Sequence, residues 1–259
     1  MAYLYETHLH TSQSSSCGVS RGRDYIQKYL DLGYSGIIVT DHFFRGNCAV
    51  NRANTWEKWV QKFCHGYEDA WEEGERRGLD VFFGWEETFE GDDYLIYGLD
   101  KEWLLKHPEV RRWTRREQFT EVRKYGGCVV QAHPFRQCAF IKRIILPGCV
   151  DAVEAGNAGN ERSSDFLAWT YARSLKLPVT AGSDIHCVND LHAETAYGVS
   201  MKTMMNSIYD YVNAIRSNSI TGLKTAPGRF DFHGDEIITL PVDIRDKNDI
   251  YVGDNIAAL

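Results

Sequence analysis

Residues 3–10 read YLYETHLH. The stretch opens as a short apolar strand and ends in His8 and His10, two residues apart. Residues two apart on a strand project to the same side, so two imidazoles at this spacing can reach one ion. A single pair of this kind also arises by chance. Its weight depends on whether other strands of the chain end in the same chemistry.

They do. GIIVTDH (36–42) ends in Asp41 and His42, VFFGWEE (81–87) in Glu86 and Glu87, and CVVQAHP (128–134) in His133. VDAVEAGN (150–157) ends in Glu154 and Asn157, and PVTAGSDIH (178–186) in Asp184 and His186. Helical patterns separate these runs. GRDYIQKYLDLG (22–33) stops at a glycine suited to a left-handed cap. Residues 55–78 carry Trp56, Trp59, Val60, Phe63, Tyr67 and Trp71 at spacings of three and four, one apolar stripe on one helix. TRREQFTEVRKYGG opens with Thr114 and Glu117, a capping-box spacing. SSDFLAWTYARSLKL and residues 203–218 read as further helices, DYLIYG as another strand, and GDEIITLPVDI as extended structure on the outside.

Alternating strands and helices predict an α/β fold, a parallel sheet with helices outside it. No GxGxxG or Walker loop supports a nucleotide-binding open sheet. In a parallel barrel, strand ends of one kind meet on one face, where active sites form. Six strand ends carrying ligands would then converge. Burying so many charges together without a cation costs several kcal/mol per ion. Histidines with carboxylates suit zinc, manganese or iron better than calcium or magnesium. His65, His107, His192 and His233 lie outside this pattern and read as ordinary surface or core residues, as Cys48, Cys64, Cys128, Cys138 and Cys149 read as small hydrophobes.

Composition narrows the rest. A net charge of −7 disfavours general nucleic-acid binding, and RRWTRR (111–116) reads as a solvated helix entry. No apolar run is long enough to span a membrane. Seven scattered cysteines without a CxxC pair, and an N-terminus without a basic-then-apolar leader, lead us to expect a reduced, cytoplasmic protein.

Taken in order, HxH, TDH, a strand-end glutamate, HPF and GSDIH resemble the PHP family, the polymerase and histidinol phosphatase domains. The resemblance runs from residue 4 to about residue 200. It implies a distorted (β/α)7 barrel of TIM-like type over residues 1–225, with 226–259 packed on it as a C-terminal extension. It implies two or three divalent metal ions (zinc, manganese or iron) and hydrolysis of phosphate esters. Carried over by position, one ion takes His8, His10, Glu86 and Asp184, a second takes His42 and His186, and a third takes Glu86 as a bridge with His133. Two positions depart from the family. Where a further ligand is expected, the chain offers Ser15, Ser16 or Cys17, and Asp93 stands where a histidine is common.

Arg136, three residues past His133, is the expected phosphate clamp, because a guanidinium can hold two oxygens at once. Arg21 and Arg23 are weaker candidates. His186 or Asp184 would protonate the leaving group. Asp41 would orient a ligand rather than bind metal, and Glu154 and Asn157 could contact ligand or substrate. The expected partner is a small phosphorylated substrate, with short nucleotides still open, no membrane and an open oligomeric state. Two rivals stand beside this reading. One is an amidohydrolase-type enzyme, although no lysine sits at a strand end to form the carboxylated bridge. The other is a non-catalytic metal-binding regulatory module on the same fold.

Overall fold

The segment GIIV at 36–39 is buried at every position and runs parallel to its neighbours on both sides, as a strand covered on both faces should. The computed structural model describes residues 2–136, 138, 144–231 and 242–254. In chain order it runs β1 (Tyr3–Glu6), α1 (Asp24–Asp31), β2 (Gly36–Val39), α2 (Trp56–Phe63), α3 (His65–Arg77), β3 (Asp80–Thr88), β4 (Asp93–Tyr97), α4 (Lys101–Lys106), α5 (Arg115–Lys124) and β5 (Cys128–Ala132). It continues with β6 (Ile144–Ile145), β7 (Ala152–Asn157), α6 (Arg162–Ser174), β8 (Val179–Gly182), β9 (Gly198–Met201), α7 (Ile208–Arg216), β10 (Gly222–Lys224), β11 (Asp243–Arg245) and β12 (Tyr251–Gly253).

The main sheet has the order β10-β9-β1-β2-β3-β4-β5-β7-β8. Its last seven strands curl until the residues beyond β8 meet those beyond β1. There Leu9 and Ile185 form a parallel bridge, Asp184 N–H donates to the His8 carbonyl at 2.8 Å, and His10 N–H donates to the Ile185 carbonyl at 3.0 Å. This is the distorted seven-stranded barrel expected from sequence, with β9 and β10 added antiparallel on the outer side of β1.

Within the seven-stranded barrel the parallel expectation fails at one strand. β4 pairs antiparallel with both β3 and β5. Only four residues separate β3 from β4, and a parallel return needs a crossover of a dozen residues or more. The helix expected over 55–78 breaks at Cys64, and Trp71 leaves the apolar stripe with 44% of its surface exposed. In α3 the buried residues are instead Gly66, Asp69, Ala70, Glu73 and Gly74. A Cβ on Gly74 would meet Val81 Cγ2 at 2.7 Å, so small residues let this helix lie directly on the barrel wall. The helix expected over 203–218 begins only at Ile208, where Ser207 and Asp210 form a capping box.

Of GDEIITLPVDI, residues up to 241 lie outside the described residues, as does His233. The remainder leads into β11, which pairs with β6 and β12. Arg115 corrects the reading of RRWTRR as a solvated run. It is 4% exposed and grips Asp92 with two hydrogen bonds of 2.7 Å. It also reaches Asp249 at 3.1 Å, which ties the β11–β12 hairpin to the turn between β3 and β4. No helix among the described residues is long and apolar enough to cross a membrane.

The seam that closes the barrel depends on one buried carboxylate. Glu6 Oε1 accepts the N–H groups of Thr7, His8 and Ser183, each at 2.9 Å. Its Oε2 accepts the Tyr29 hydroxyl at 2.7 Å and the Ser183 hydroxyl. Removing it leaves five donors without an acceptor in a region closed to water. Glu6→Ala is expected to lower the unfolding free energy by about 3 kcal/mol or more, measured by urea denaturation, and a loss under 1 kcal/mol on the same scale would show that the seam does not depend on it.

Candidate metal centre

The strand ends place His8 and His10 side by side in the barrel mouth, both fully buried. Their outer partners fix which nitrogen carries hydrogen. His8 Nδ1 lies 2.9 Å from Glu154 Oε1, an acceptor only, so Nδ1 is the donor. His10 Nδ1 lies 3.1 Å from Ser15 Oγ, whose own hydrogen goes to Asp41 Oδ1 at 2.6 Å, so this Nδ1 is again the donor. In the neutral rings both Nε2 atoms are then lone pairs. They sit 3.1 Å apart, and Asp184 Oδ1 lies 3.1 Å from one and 3.4 Å from the other. Three electron-rich atoms pointed at one spot repel unless a cation or a proton stands between them.

Glu86 holds the centre of the mouth. Its Oε1 is 3.2 Å from His133 Nε2 and 3.4 Å from His8 Nε2. Its Oε2 is 2.7 Å from His42 Nδ1, yet neither of these two buried atoms has a partner with hydrogen-bond alignment. Buried atoms left side by side without an aligned hydrogen bond are what one cation bound to both would satisfy. Three sets of ligand atoms lie within 4.8 Å of one another: His8, His10 and Asp184; His10, His42 and His186; and His8, Glu86 and His133. The structure thus brings together His8, His10, His42, Glu86, His133, Asp184 and His186; it adds His10 to the second set and His8 to the third, and it leaves Glu86 out of the first. The donor set fits divalent transition ions.

Electrostatics agree with that fit. Burial opposes charge on His8, but Asp184, Glu154 and Glu86 outweigh it and raise its pKa well above the imidazole range. Burial likewise opposes charge on His42 and is outweighed by Glu86 and Cys17, so its pKa is raised. On His10, burial and then the neighbouring His42 push the pKa well down. Burial would raise Glu86 and Asp184, but His42 and His8 hold Glu86 well below the carboxylate range, and Arg136 and His8 do the same for Asp184. Without metal, the neighbouring carboxylates favour protons on His8 and His42.

The remaining assigned residues fall on the walls. Burial would raise the Cys17 thiol, but contacts with His186 and His42 outweigh it and bring it to about 6. Asp93 lies outside the three ligand sets. Thr88 donates to its Oδ1 at 2.5 Å, and burial, then the Glu86 charge, raise its carboxyl to about 6. Arg136 Nη2 stands 2.6 Å from Asp184 Oδ2, and its other contacts are Asn157 Oδ1 at 2.7 Å and Asn160 Oδ1 at 2.8 Å. Arg21 and Arg23 do not reach the centre. Both pair with Asp69 on α3.

Asp41 accepts the Ser15 hydroxyl at 2.6 Å and the Thr11 N–H at 2.7 Å and lies outside the three ligand sets. Asn160 was not singled out from sequence. Its only signal there is its place in the small polar run after β7. His133 and Asp184 both adopt positive φ, 27° and 53°, a conformation that costs energy for residues with a Cβ and recurs at functional sites. Gly182 permits the crowding, since a Cβ there would meet His8 Cβ at 2.5 Å. A cavity of about 410 Å³ opens over the centre, with Arg45, Asn47, Thr88 and Asp93 on its walls.

No family model and no curated protein matches the sequence. Solved structures do share the fold. A protein from Bifidobacterium adolescentis, provisionally assigned as a metal-dependent phosphoesterase, has a TM-score of 0.50 at 16% identity, over 82% of this chain and 96% of its own. A two-domain protein from Bacteroides vulgatus, with a provisionally assigned PHP-like metal-dependent phosphoesterase, reaches 0.61 at 16% identity, over 83% of this chain and 64% of its own. An amidohydrolase from Chromobacterium violaceum, solved with sulfate and no metal, has a TM-score of 0.50 at 12% identity, over 82% of this chain and 96% of its own. These likenesses are of fold.

Two outcomes follow for metal binding. Glu154→Gln keeps the shape but weakens the acceptor behind His8, so affinity for zinc should fall about 10–100-fold by calorimetry; an unchanged affinity would remove Glu154 from the centre. Because His8, His42 and His186 have raised pKa values, an entering cation displaces protons they hold near neutrality. Apparent affinity should therefore rise with pH, and calorimetry in buffers of different ionisation enthalpy should register proton release.

Proposed function

We propose that this protein is a metal-dependent hydrolase of phosphate esters, acting on a small molecule through two or three divalent ions drawn from zinc, manganese and iron. The observation that carries this reading is the set of three overlapping ligand groups on the floor of one cavity, with Arg136 beside them. Metal ions held there would supply Lewis acidity and a hydroxide at neutral pH.

The chain's own residues do the rest. Asn157 and Asn160 hold the Arg136 guanidinium by their side-chain oxygens and Asp184 pairs with its Nη2, leaving Nη1 to bind a non-bridging oxygen of a phosphoryl group. Glu154 and Ser15 keep the His8 and His10 lone pairs turned inward. His186 and Asp184 serve in the ligand sets, which leaves the leaving-group proton to Asp93, a carboxyl on the cavity wall outside those sets. Asp93 would hold that proton at its free oxygen, Oδ2. The cavity volume suits a small ester rather than a folded polymer. Among the described residues no lysine lines it, which favours phosphate over amide chemistry of the carboxylated-lysine kind.

Phosphate release from a panel of monoesters, with manganese or zinc present, tests the reading. Asp184→Ala should abolish turnover, and Arg136→Ala should lower kcat/KM by about 10–100-fold. Asp93→Asn should matter little for an aryl phosphate with a good leaving group and cost about 100-fold for an alkyl phosphate. Wild-type protein that hydrolyses no monoester or diester in either metal would overturn the phosphoesterase reading.

A further inference from the structure

Two asparagines hold Arg136, and both are themselves held from behind. Asp165, in the first turn of α6, is fully buried and divides its two oxygens between them. Its Oδ1 accepts from Asn160 Nδ2 at 2.8 Å, and its Oδ2 accepts the Asn157 N–H at 3.0 Å. A carboxylate only accepts, so the Asn160 amide turns its nitrogen toward Asp165. Its oxygen is thereby turned toward Arg136 Nε, which donates to it at 2.8 Å.

Arg229 completes the arrangement from the segment after β10. Its Nε donates to Asp165 Oδ2 at 2.7 Å, and its Nη2 donates to the Asn157 carbonyl at 3.2 Å and to the Asn160 carbonyl. The segment is seated closely on the barrel. Phe230 stacks on Trp169 of α6 with ring centroids 4.6 Å apart, and a Cβ on Gly156 of β7 would meet Thr225 Cγ2 at 2.9 Å. The loop fits as closely on its other side, where a Cβ on Gly159 would meet Arg136 Nη2 at 3.1 Å. The pair of Asp165 and Arg229 therefore lies one layer behind the guanidinium, outside the cavity lining and the ligand sets. A buried ion pair is often no more stabilising than an apolar pair of similar volume, whereas only an acceptor at Asp165 fixes both asparagines in these orientations.

We propose that Asp165 and Arg229 are positioning residues for substrate binding, which fix Asn157 and Asn160 so that Arg136 presents Nη1 to the phosphoryl group. What the clamp binds rests on the phosphoesterase reading above. Asp165→Asn isolates the effect. Oδ2 receives the Asn157 N–H and Arg229 Nε, so the new amide keeps its oxygen there and sets its nitrogen against Asn160 Nδ2. Two donors then face each other, the Asn160 amide turns or withdraws, and Arg136 Nε loses its acceptor.

In Asp165→Asn, kcat/KM for phosphate monoesters should fall at least about tenfold. In an Arg136→Ala background the same substitution should cost less than about twofold more, because the group it positions is gone. Zinc affinity should stay within about twofold of wild type, since the ligands and Glu154 are unaltered. A readout without turnover comes from the Arg136 Nε–H, observed by heteronuclear NMR and identified by its loss in Arg136→Lys. Its hydrogen exchange should quicken at least about tenfold in Asp165→Asn and in Arg229→Met.

Unchanged exchange, an equal loss of kcat/KM with and without Arg136, or a zinc affinity that falls in parallel would overturn the proposal and leave the phosphoesterase reading standing. Quickened exchange in a protein that hydrolyses no phosphate ester supports the positioning and removes only the hydrolytic reading. If Asp165→Asn fails to fold, Arg229→Met, altered at a side chain 14% exposed, decides the matter by the same exchange measurement.

Discussion

The structure depends on an electrostatic conflict in the barrel mouth. Glu86 and Asp184 are buried among five imidazoles, and the outer partners of His8 and His10 turn both free lone pairs toward Asp184. Such an arrangement costs several kcal/mol per buried charge unless positive charge enters it. Protons on His8 and His42 can supply that charge, and metal ions supply it with more fitting geometry. The rest of the fold holds this conflict in place. The Glu6 seam closes the barrel and fixes the residues after β1 against those after β8. Gly182 lets the wall approach His8, and positive φ at His133 and Asp184 directs their side chains inward.

The substrate side is more open in construction. Arg136 is held by two asparagines and faces the ligand sets, whereas Arg45 is spent on Glu87 and the Trp113 carbonyl and lies 4.1 Å over the Phe89 ring. Phe89 is also covered by Arg115, which belongs to the network joining the β3–β4 turn to Asp249. The turn that borders the cavity is therefore held from behind by the β11–β12 hairpin. Loops of this kind set substrate choice on a shared fold.

Much of the centre was legible in the sequence because its chemistry sits at strand ends, and strand ends are readable as apolar runs that stop in polar residues. His8, His10, His42, Glu86, His133, Asp184 and His186 all follow that rule. Residues that act through others were harder to read. Ser15 looks like a substitute ligand in sequence, but its short side chain reaches Asp41 and His10 instead. Asn160 gains its role from a loop whose path no periodicity encodes. The antiparallel β4 was missed because an apolar run has no direction; only the four-residue connection to β3 reveals it. Arg115 was missed because its partners, Asp92 and Asp249, are remote in sequence, and burial of an arginine is decided by where its partners lie.

The central claim is that cations occupy the space between these strand ends. Anomalous diffraction from crystals grown with zinc or manganese tests it most directly. The account predicts at least two anomalous peaks in the barrel mouth, one of them about 2.0–2.2 Å from His8 Nε2, His10 Nε2 and an Asp184 oxygen. A mouth with no anomalous density, and with His8 and His10 each still bonded to a protonated partner, would contradict it.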